Sequence, residues 1–169
     1  MPITLYDASV PVFTRLLGGL DAILAKAEAH AQARKFDPDT LMQVRLFPDM
    51  YPLAMQVRIA CDAAKFGVAR LAGIEAPKFE DSERTLAELR ERIARTLAFI
   101  AGVPRSSIDG QEDRDVVIPM RERKLEMKGI DFLLHRALPN FYFHLTTAYN
   151  LLRHNGVEIG KQDYLGRAG

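Results

Sequence analysis

A chain of 169 residues is long enough for one domain, here residues 1–169, whose core buries about 70% of the surface of the unfolded chain. Its 23 Lys and Arg residues nearly balance 22 Asp and Glu residues, which argues against nucleic acid or an anionic membrane as a partner. The single cysteine, Cys61, excludes an internal disulfide and a cysteine-rich zinc site, and it suits a reducing compartment. No segment approaches the about 20 apolar residues of a membrane span. We therefore expect a cytoplasmic protein without a membrane span or signal peptide.

The first predicted helix starts between Asp7 and Ser9, because Pro11 is tolerated only in a first turn. Residues 36–50 hold two prolines, and we predict a connection with one short helical turn that crosses the bundle. Apolar residues of the first helix alternate in steps of three and four, which places one stripe on one face: Val10, Phe13, Leu17, Leu20, Leu24, Ala27 and Ala31.

A second helix is predicted from near Pro52 to Gly73, with a seam of partly small residues that allows close packing of a neighbour: Leu53, Val57, Ala60, Ala64, Gly67 and Leu71. Asp81 and Ser82 are good N-cap residues and are predicted to end the following loop. The carboxylates of residues 82–95 are expected on a solvated face. The third helix then follows with its own seam: Leu86, Leu89, Ile93, Leu97 and Ile100.

Residues 105–129 lack a helical period and contain two short alternating runs, which indicate a small β-hairpin or an extended excursion. A fourth helix follows, and Pro139 must kink it or mark a break in it. These elements predict an all-α four-helix bundle, with a long crossover after the first helix and a non-helical insertion before the last. The seam of the fourth helix consists of Ile130, Leu134, Ala137, Phe141, His144, Ala148 and Leu151.

The imidazole of His144 should therefore point into the bundle. It is either a metal ligand or general base, or a neutral core side chain bonded to a carbonyl or hydroxyl group, from Thr147 or from another helix. We favour the core interpretation because metal sites recruit several ligands, and positions i−4 and i+4 hold Asn140 and Ala148. The other histidines are expected in solvated or capping positions: His30, His135 and His154.

Three polar residues of the second helix, Gln56, Arg58 and Asp62, surround Cys61. The i, i+4 spacing of Arg58 and Asp62 fits either an exposed ion pair, of about 0.3–0.5 kcal/mol, or the lining of a polar pocket, and we favour the ion pair. Cys61 is predicted to be a small buried side chain rather than a reactive thiol.

The C-terminal sequence contains Gly160 and Lys161 but lacks the upstream glycine, the Ser or Thr after the lysine and the following helix that a phosphate-binding loop needs. We predict that this tail folds back and inserts Tyr164 and Leu165 against the bundle or against a second subunit.

Residues 138–166, together with 77–93 and 50–73, resemble a bacterial family of unknown function, family 1993, in the DinB/YfiT-like metalloenzyme superfamily. The resemblance covers almost the full chain. It implies a DinB-type four-helix bundle, a homodimer and no established activity. The aromatic run at 141–143 supports the homodimer, since it presents rings on more faces than one core can bury.

DinB-like proteins typically carry three metal-binding histidines, one on the second helix and two on the last helix in an H-x-x-x-H arrangement. In this resemblance His144 matches the second histidine of the pair and Asn140 the first, and the second helix offers Gln56 or Arg58. Amides are poor ligands for zinc or nickel, and an arginine repels a cation. The resemblance therefore predicts a degenerate metal site without a cofactor, in which His144 is the only retained candidate ligand.

Two functions follow as hypotheses. The first is a metal-free protein that binds a small molecule or an interaction partner near His144, Asn140 and the second helix. The alternative is an enzyme that uses His144, with Asn140, Gln56, Arg58 or Asp62, for acid-base chemistry or with a weakly held zinc or nickel ion. Metal- or thiol-dependent transferases and hydrolase-like proteins of the superfamily provide the analogy for this second hypothesis.

Overall fold

The computed structural model of the protein describes residues 2–166. Four long helices form a bundle in which α2 lies between α3 and α5 and α1 packs against α3. The elements, in chain order, are α1 (Val10–Arg34), a 3₁₀ helix (Pro38–Gln43), α2 (Leu53–Ala72), α3 (Leu86–Ala101), a 3₁₀ turn (Arg105–Ser107), β1 (Asp115–Pro119), β2 (Lys124–Lys128), α4 (Gly129–Phe132), a π-helical segment (Leu133–Ala137), α5 (Leu138–His154) and α6 (Lys161–Leu165). The predicted bundle and hairpin are confirmed.

The helix seams of α1 and α2 lie where the periodicity predicts them. All seven predicted residues of α1 and all six of α2 are buried. Ser9 is the N-cap of α1, and Pro11 lies in its first turn, where its missing N–H costs no hydrogen bond. The two helices contact α5 through a core in which the ring of Phe13 meets that of Phe141 edge to face, 4.9 Å between centroids.

The second and third helices run in the same direction. Glu83, just before α3, binds Arg58 near the start of α2, and Arg92 further along α3 binds Asp62 further along α2. A parallel pair cannot be joined by a short turn, so residues 74–85 run back along the bundle against both helices. This return loop brings its own side chains into the groove between α2 and α3.

The N-cap of α3 is Thr85, and the prediction of Asp81 or Ser82 is wrong. Thr85 accepts a hydrogen bond from the Glu88 backbone, and Glu88 accepts one from the Thr85 backbone, which completes a capping box. Asp81 lies in the return loop instead, 3.1 Å from the guanidinium of Arg92.

The fourth helix is continuous from α4 through the π-helical segment to α5. The N–H of Leu138 binds the carbonyl of Leu133, five residues back, and Pro139 follows in the first turn of α5. The wider turn changes the helical phase, so Leu133 is fully buried and Leu134 is 46% exposed. Leu134 was predicted to belong to the seam, and that prediction is wrong because the periodicity assumed 3.6 residues per turn throughout.

The C-terminal tail folds back as predicted, onto α1 and α5. The ring of Tyr164 lies edge to face against Tyr149, and its hydroxyl is 3.0 Å from that of Thr146. Lys26 binds Asp163 at 2.6 Å and fixes α6 to α1. Leu165 does not insert, since it is 40% exposed.

Candidate functional site

His144 is a core residue whose ring binds the second helix. It is 8% exposed, and its Nδ1 lies 2.7 Å from Oε1 of Gln56. The partner is thus a side-chain carbonyl of another helix, while Thr147 binds the carbonyl of Phe143 within its own helix. The structure brings together two of the residues that the sequence singled out.

The hydrogen bonds of Gln56 determine the tautomer of His144. Its Nε2 donates to the carbonyl of Tyr51 at 3.0 Å, so its other amide atom, which faces His144, is the oxygen. An oxygen only accepts here, so Nδ1 of His144 donates and the lone pair of the neutral ring lies on Nε2. Burial lowers the pKa of His144 from its usual value of 6.5, which favours this neutral form.

Asn140 and Asp62 line a different feature, a cleft of about 160 Å³ between α2 and α5. Asn140 lies one helical turn before His144, on the same side of α5. The hairpin contributes one wall through Ile118. The cleft is lined by Ile59, Asp62, Ala63, Phe66, Arg70, Ile118, Phe132, Arg136, Ala137 and Asn140.

Arg58 takes no part in this cleft. Its Nε binds Oε2 of Glu83 at 2.7 Å and its Nη2 binds the Glu83 carbonyl at 2.6 Å. The favoured ion pair between Arg58 and Asp62 is therefore wrong. Gln56 and Arg58 are two residues apart, about 200° around the helix, so only one of them can face α5. The five candidate residues consequently lie in three places.

A buried charge cluster between α2, α3 and the return loop was missed by the sequence analysis. Arg92 is 1% exposed and binds Glu83 at 2.8 Å and Asp62 at 3.1 Å. Lys65 is 2% exposed and binds Asp62 at 2.9 Å, with its ammonium 4.2 Å from the ring centroid of Phe79. We call these residues, with Arg58 and Asp81, the charge cluster.

The cluster contradicts the expectation of a solvated face for one carboxylate of residues 82–95, Glu83, whereas Glu88 and Glu91 are exposed as predicted. Burial by itself raises the pKa of Glu83, but the hydrogen bond from Arg92 and the charges of Arg92 and Arg58 hold that pKa below its usual value. A signal was available, because Arg92 and Thr96 share the spacing of the α3 seam around Leu89 and Ile93, and both are buried. Because both residues are polar, the apolar pattern did not identify them as buried.

Cys61 is fully buried, as predicted, and burial raises the pKa of its thiol to about 12, which disfavours the nucleophilic thiolate. His135 is exposed and 4.0 Å from Asp131, and His30 lies edge to face with Phe36, 5.9 Å between centroids. These positions are peripheral to the α2–α5 seam.

The donor atoms near His144 do not fit a zinc or nickel ion. Gln56 offers an amide oxygen that is already bonded to Nδ1, and Asn140 offers a second amide. Across residues 2–166, no group of three or more His, Cys, Asp or Glu side chains is placed to hold a metal ion. The arginines that line the adjacent cleft would further disfavour a cation there.

Comparisons with known proteins agree with this architecture. The domain of unknown function family DUF1993 matches residues 5–165. The crystal structure of a DinB family member protein from Shewanella denitrificans is similar, with 47% sequence identity, a TM-score of 0.90 and coverage of 97% of this chain and 93% of that chain. No curated protein matches significantly. Among the described helices, none is long and apolar enough to cross a membrane.

Proposed function

The chain belongs to the DUF1993 family, and from this premise we propose that it is a metal-free DinB-like bundle that binds a small molecule in the cleft between α2 and α5. The cleft is concave, has apolar walls and carries a few polar groups, which is the usual character of small-molecule sites. The observation that carries the proposal is that Asn140 and Asp62, from two different helices, line this cleft beside the seam that holds His144.

In this proposal His144 and Gln56 have a positioning role. Their hydrogen bond ties α5 to the start of α2 one helical turn from Asn140. A buried polar pair with both partners satisfied fixes one register between two helices, because any slip would leave both groups unpaired. The pair therefore holds α2 and α5, the two helices that form the cleft, in one register.

The test is to fill the cleft. Ala63 lines it, and Ala63→Leu adds side-chain volume there without removing a polar group. We expect small molecules from a chemically mixed set to shift the backbone NMR signals around residues 63 and 140, and Ala63→Leu to abolish those shifts. Ala98→Leu, on the exposed side of α3, is the matched control. Equal binding by the Ala63→Leu and Ala98→Leu variants would overturn the proposal.

The metal-free part of the proposal has a separate measurement. Protein purified without chelators is analysed for zinc, nickel and iron by mass spectrometry. We expect less than about 0.1 metal ion per chain, because one histidine and two amides bind these ions weakly. One retained ion per chain, lost in His144→Gln, would contradict it.

One observation favours the enzymatic alternative. The lone pair of His144 lies on Nε2, the nitrogen that a substrate proton or a weakly held metal ion would meet. His144→Gln retains a donor for Gln56 but has no imidazole. The wild type is assayed for hydrolysis of p-nitrophenyl acetate and for thiol addition to a chromogenic electrophile. Loss of either activity in His144→Gln, at unchanged stability, would support a hydrolase-like or transferase activity.

We also propose a cytoplasmic homodimer. Tyr142 and Phe143 on α5 are 37% and 57% exposed, and a second copy would cover them. Light scattering at micromolar concentration should give the mass of two chains, and Phe143→Glu should give one. A wild-type monomer would refute the homodimer.

A further inference from the structure

Two arginines lie at the same end of the cleft between α2 and α5. Arg70 belongs to the last turn of α2, and Arg136 belongs to the π-helical segment that precedes α5. Both line the cleft together with Asn140. Helical turns of the π type occur frequently at functional sites, which directs attention to this end of the cleft.

These two guanidinium groups lack the carboxylates that accompany the buried cations Arg92 and Lys65. Among residues 2–166, neither Arg70 nor Arg136 forms a salt bridge. Asp62 supplies the one carboxylate of the lining, but its Oδ1 already binds Lys65 at 2.9 Å and Arg92 at 3.1 Å. The end of the cleft formed by Arg70 and Arg136 is therefore positively charged.

The charges of the two arginines act on each other. Burial lowers the pKa of Arg70 from its usual value, and the nearby charge of Arg136 lowers it further. Arg70 nevertheless keeps its charge at neutral pH, because guanidinium groups stay protonated in proteins. An anion between them would replace a repulsion by two charge-assisted hydrogen bonds.

Apart from Asp62 and Asn140, the rest of the lining is apolar. The guanidinium of Arg70 lies 5.2 Å from the ring centroid of Phe66 and 5.8 Å from that of Phe132, so the two rings hold it in place. Ile59 and Ile118 contribute aliphatic surface to the same cleft. A fully hydrated inorganic anion would leave this surface uncovered, whereas an apolar stem would cover it.

We propose that the cleft binds a small organic carboxylate, with its carboxylate between Arg70 and Arg136 and its short apolar stem against Phe66 and Ile118. This inference rests on the proposed binding function and names the ligand class. Planar carboxylates match the paired donors of a guanidinium. A volume of 160 Å³ corresponds to about five water molecules, so the ligand is a short acid or the acidic end of a longer one.

Butyrate, butyramide and inorganic phosphate are suitable probes. Butyrate combines the charge with an apolar stem, butyramide keeps the stem without the charge, and phosphate keeps the charge without the stem. Each is titrated into the full chain at low ionic strength and followed by NMR shifts at residues 63 and 140. Arg136→Gln and Arg70→Gln remove the two cations one at a time, and Arg153→Gln, exposed near the end of α5, is the matched control.

We expect butyrate to bind in the cleft more tightly than the other two probes. Each arginine variant should weaken butyrate binding about tenfold or more, because each removes a charge-assisted hydrogen bond, and Arg153→Gln should leave it unchanged. Arg136 is exposed, so Arg136→Gln should fold normally. This variant therefore tests the inference even if Arg70→Gln is unstable.

Four outcomes would overturn the inference. Tighter binding of phosphate would assign the arginines to a phosphate ligand, and equal binding of butyramide would show that they are not used. Absence of butyrate shifts at the cleft, or butyrate binding that is equal in wild type and Arg136→Gln, would also exclude it. In each case the proposed small-molecule binding at the cleft is kept if Ala63→Leu still prevents the binding of other small molecules. It is lost only if Ala63→Leu prevents the binding of none of them.

Discussion

The cations on the two sides of α2 have opposite environments. Towards α3, Arg92 and Lys65 are almost fully buried and bind Asp62 and Glu83. Towards α5, Arg70 packs on phenylalanine rings beside Arg136, and neither has a salt bridge within residues 2–166. A buried charge that is already paired holds elements together, whereas an accessible charge left unpaired is available to a ligand.

The geometry of the chain explains this difference. The return loop brings Asp81 and Glu83 onto the α3 side of α2, and it is needed because α2 and α3 are parallel. On the α5 side the wall is the hairpin, which contributes Ile118 rather than a carboxylate. We therefore expect substitutions on the α3 side to change stability and substitutions at the cleft to change binding.

The largest expected effect is that of Arg92→Met. Methionine fills a similar volume but leaves Glu83 with Arg58 alone and Asp62 with Lys65 alone. We expect a loss of about 3 kcal/mol in the free energy of unfolding, the lower end of the range for breaking a buried ion pair. Urea denaturation measures it. Arg84→Met, an exposed arginine just before α3, should change stability by less than about 0.5 kcal/mol. Equal effects of the two substitutions would remove the distinction between paired and exposed arginines.

The next effect concerns the polar pair of Gln56 and His144 between α2 and α5. Gln56→Leu leaves the Nδ1–H of His144 without an acceptor in a nearly buried position, and we expect a loss of about 1–3 kcal/mol. Gln32→Leu on the exposed face of α1 is the control for the change of residue type. If both glutamine variants have wild-type urea midpoints, the pair does not fix the two helices.

Acidification should affect the two sides in separate pH windows. The folded-state pKa of His144 is depressed, so the unfolded chain gains a proton first and stability falls as the pH drops below the usual histidine value of 6.5. The pKa of Glu83 is also lowered, so its contribution is present above 4.5 and is lost as the pH falls through its folded value. In the free energy of unfolding measured against pH, His144→Gln should reduce the decline below pH 6.5. Glu83→Gln should reduce the decline below pH 4.5. Unchanged curves would contradict these assignments.

The smallest effect is expected for Arg136→Gln. Without a bound anion this substitution removes a repulsion from Arg70 and breaks no salt bridge among the described residues, so stability should stay within about 0.5 kcal/mol of wild type or rise slightly. Thermal unfolding at low ionic strength, where the repulsion is least screened, is the appropriate measurement. A loss above about 1 kcal/mol would show that Arg136 has a structural role.

The apolar pattern predicted the architecture well. Helical spacing predicted the seams of α1 and α2 and the inward position of His144, because residues that recur every three or four positions share one face of a helix. The hairpin was predicted from two short alternating runs. Leu134 departs from its predicted position because a π-helical turn changes that spacing locally. Pro139 predicted a kink or break in the fourth helix but not that it would be a π-helical turn.

The polar side chains were harder to assign from sequence. Arg58 and Asp62 have the spacing of a helix-surface ion pair, yet each binds a partner outside its own helix. Glu83 lies between good capping residues and looked solvated, but the return loop buries most of it against Arg92. Short-range spacing could not show this, because the partners are up to 30 residues apart in sequence.

The sequence by itself determined which faces of the helices are buried, where the chain leaves the helical pattern and that His144 enters the core. Only the tertiary structure decided which charges meet and which stay free to meet a ligand. The physical reason is that burial of an apolar side chain requires any apolar neighbour, whereas a buried ion requires a specific partner at a specific distance. The direction of α2 relative to α3 supplies that partner for Arg92, and the cleft leaves Arg70 and Arg136 without one among the residues described.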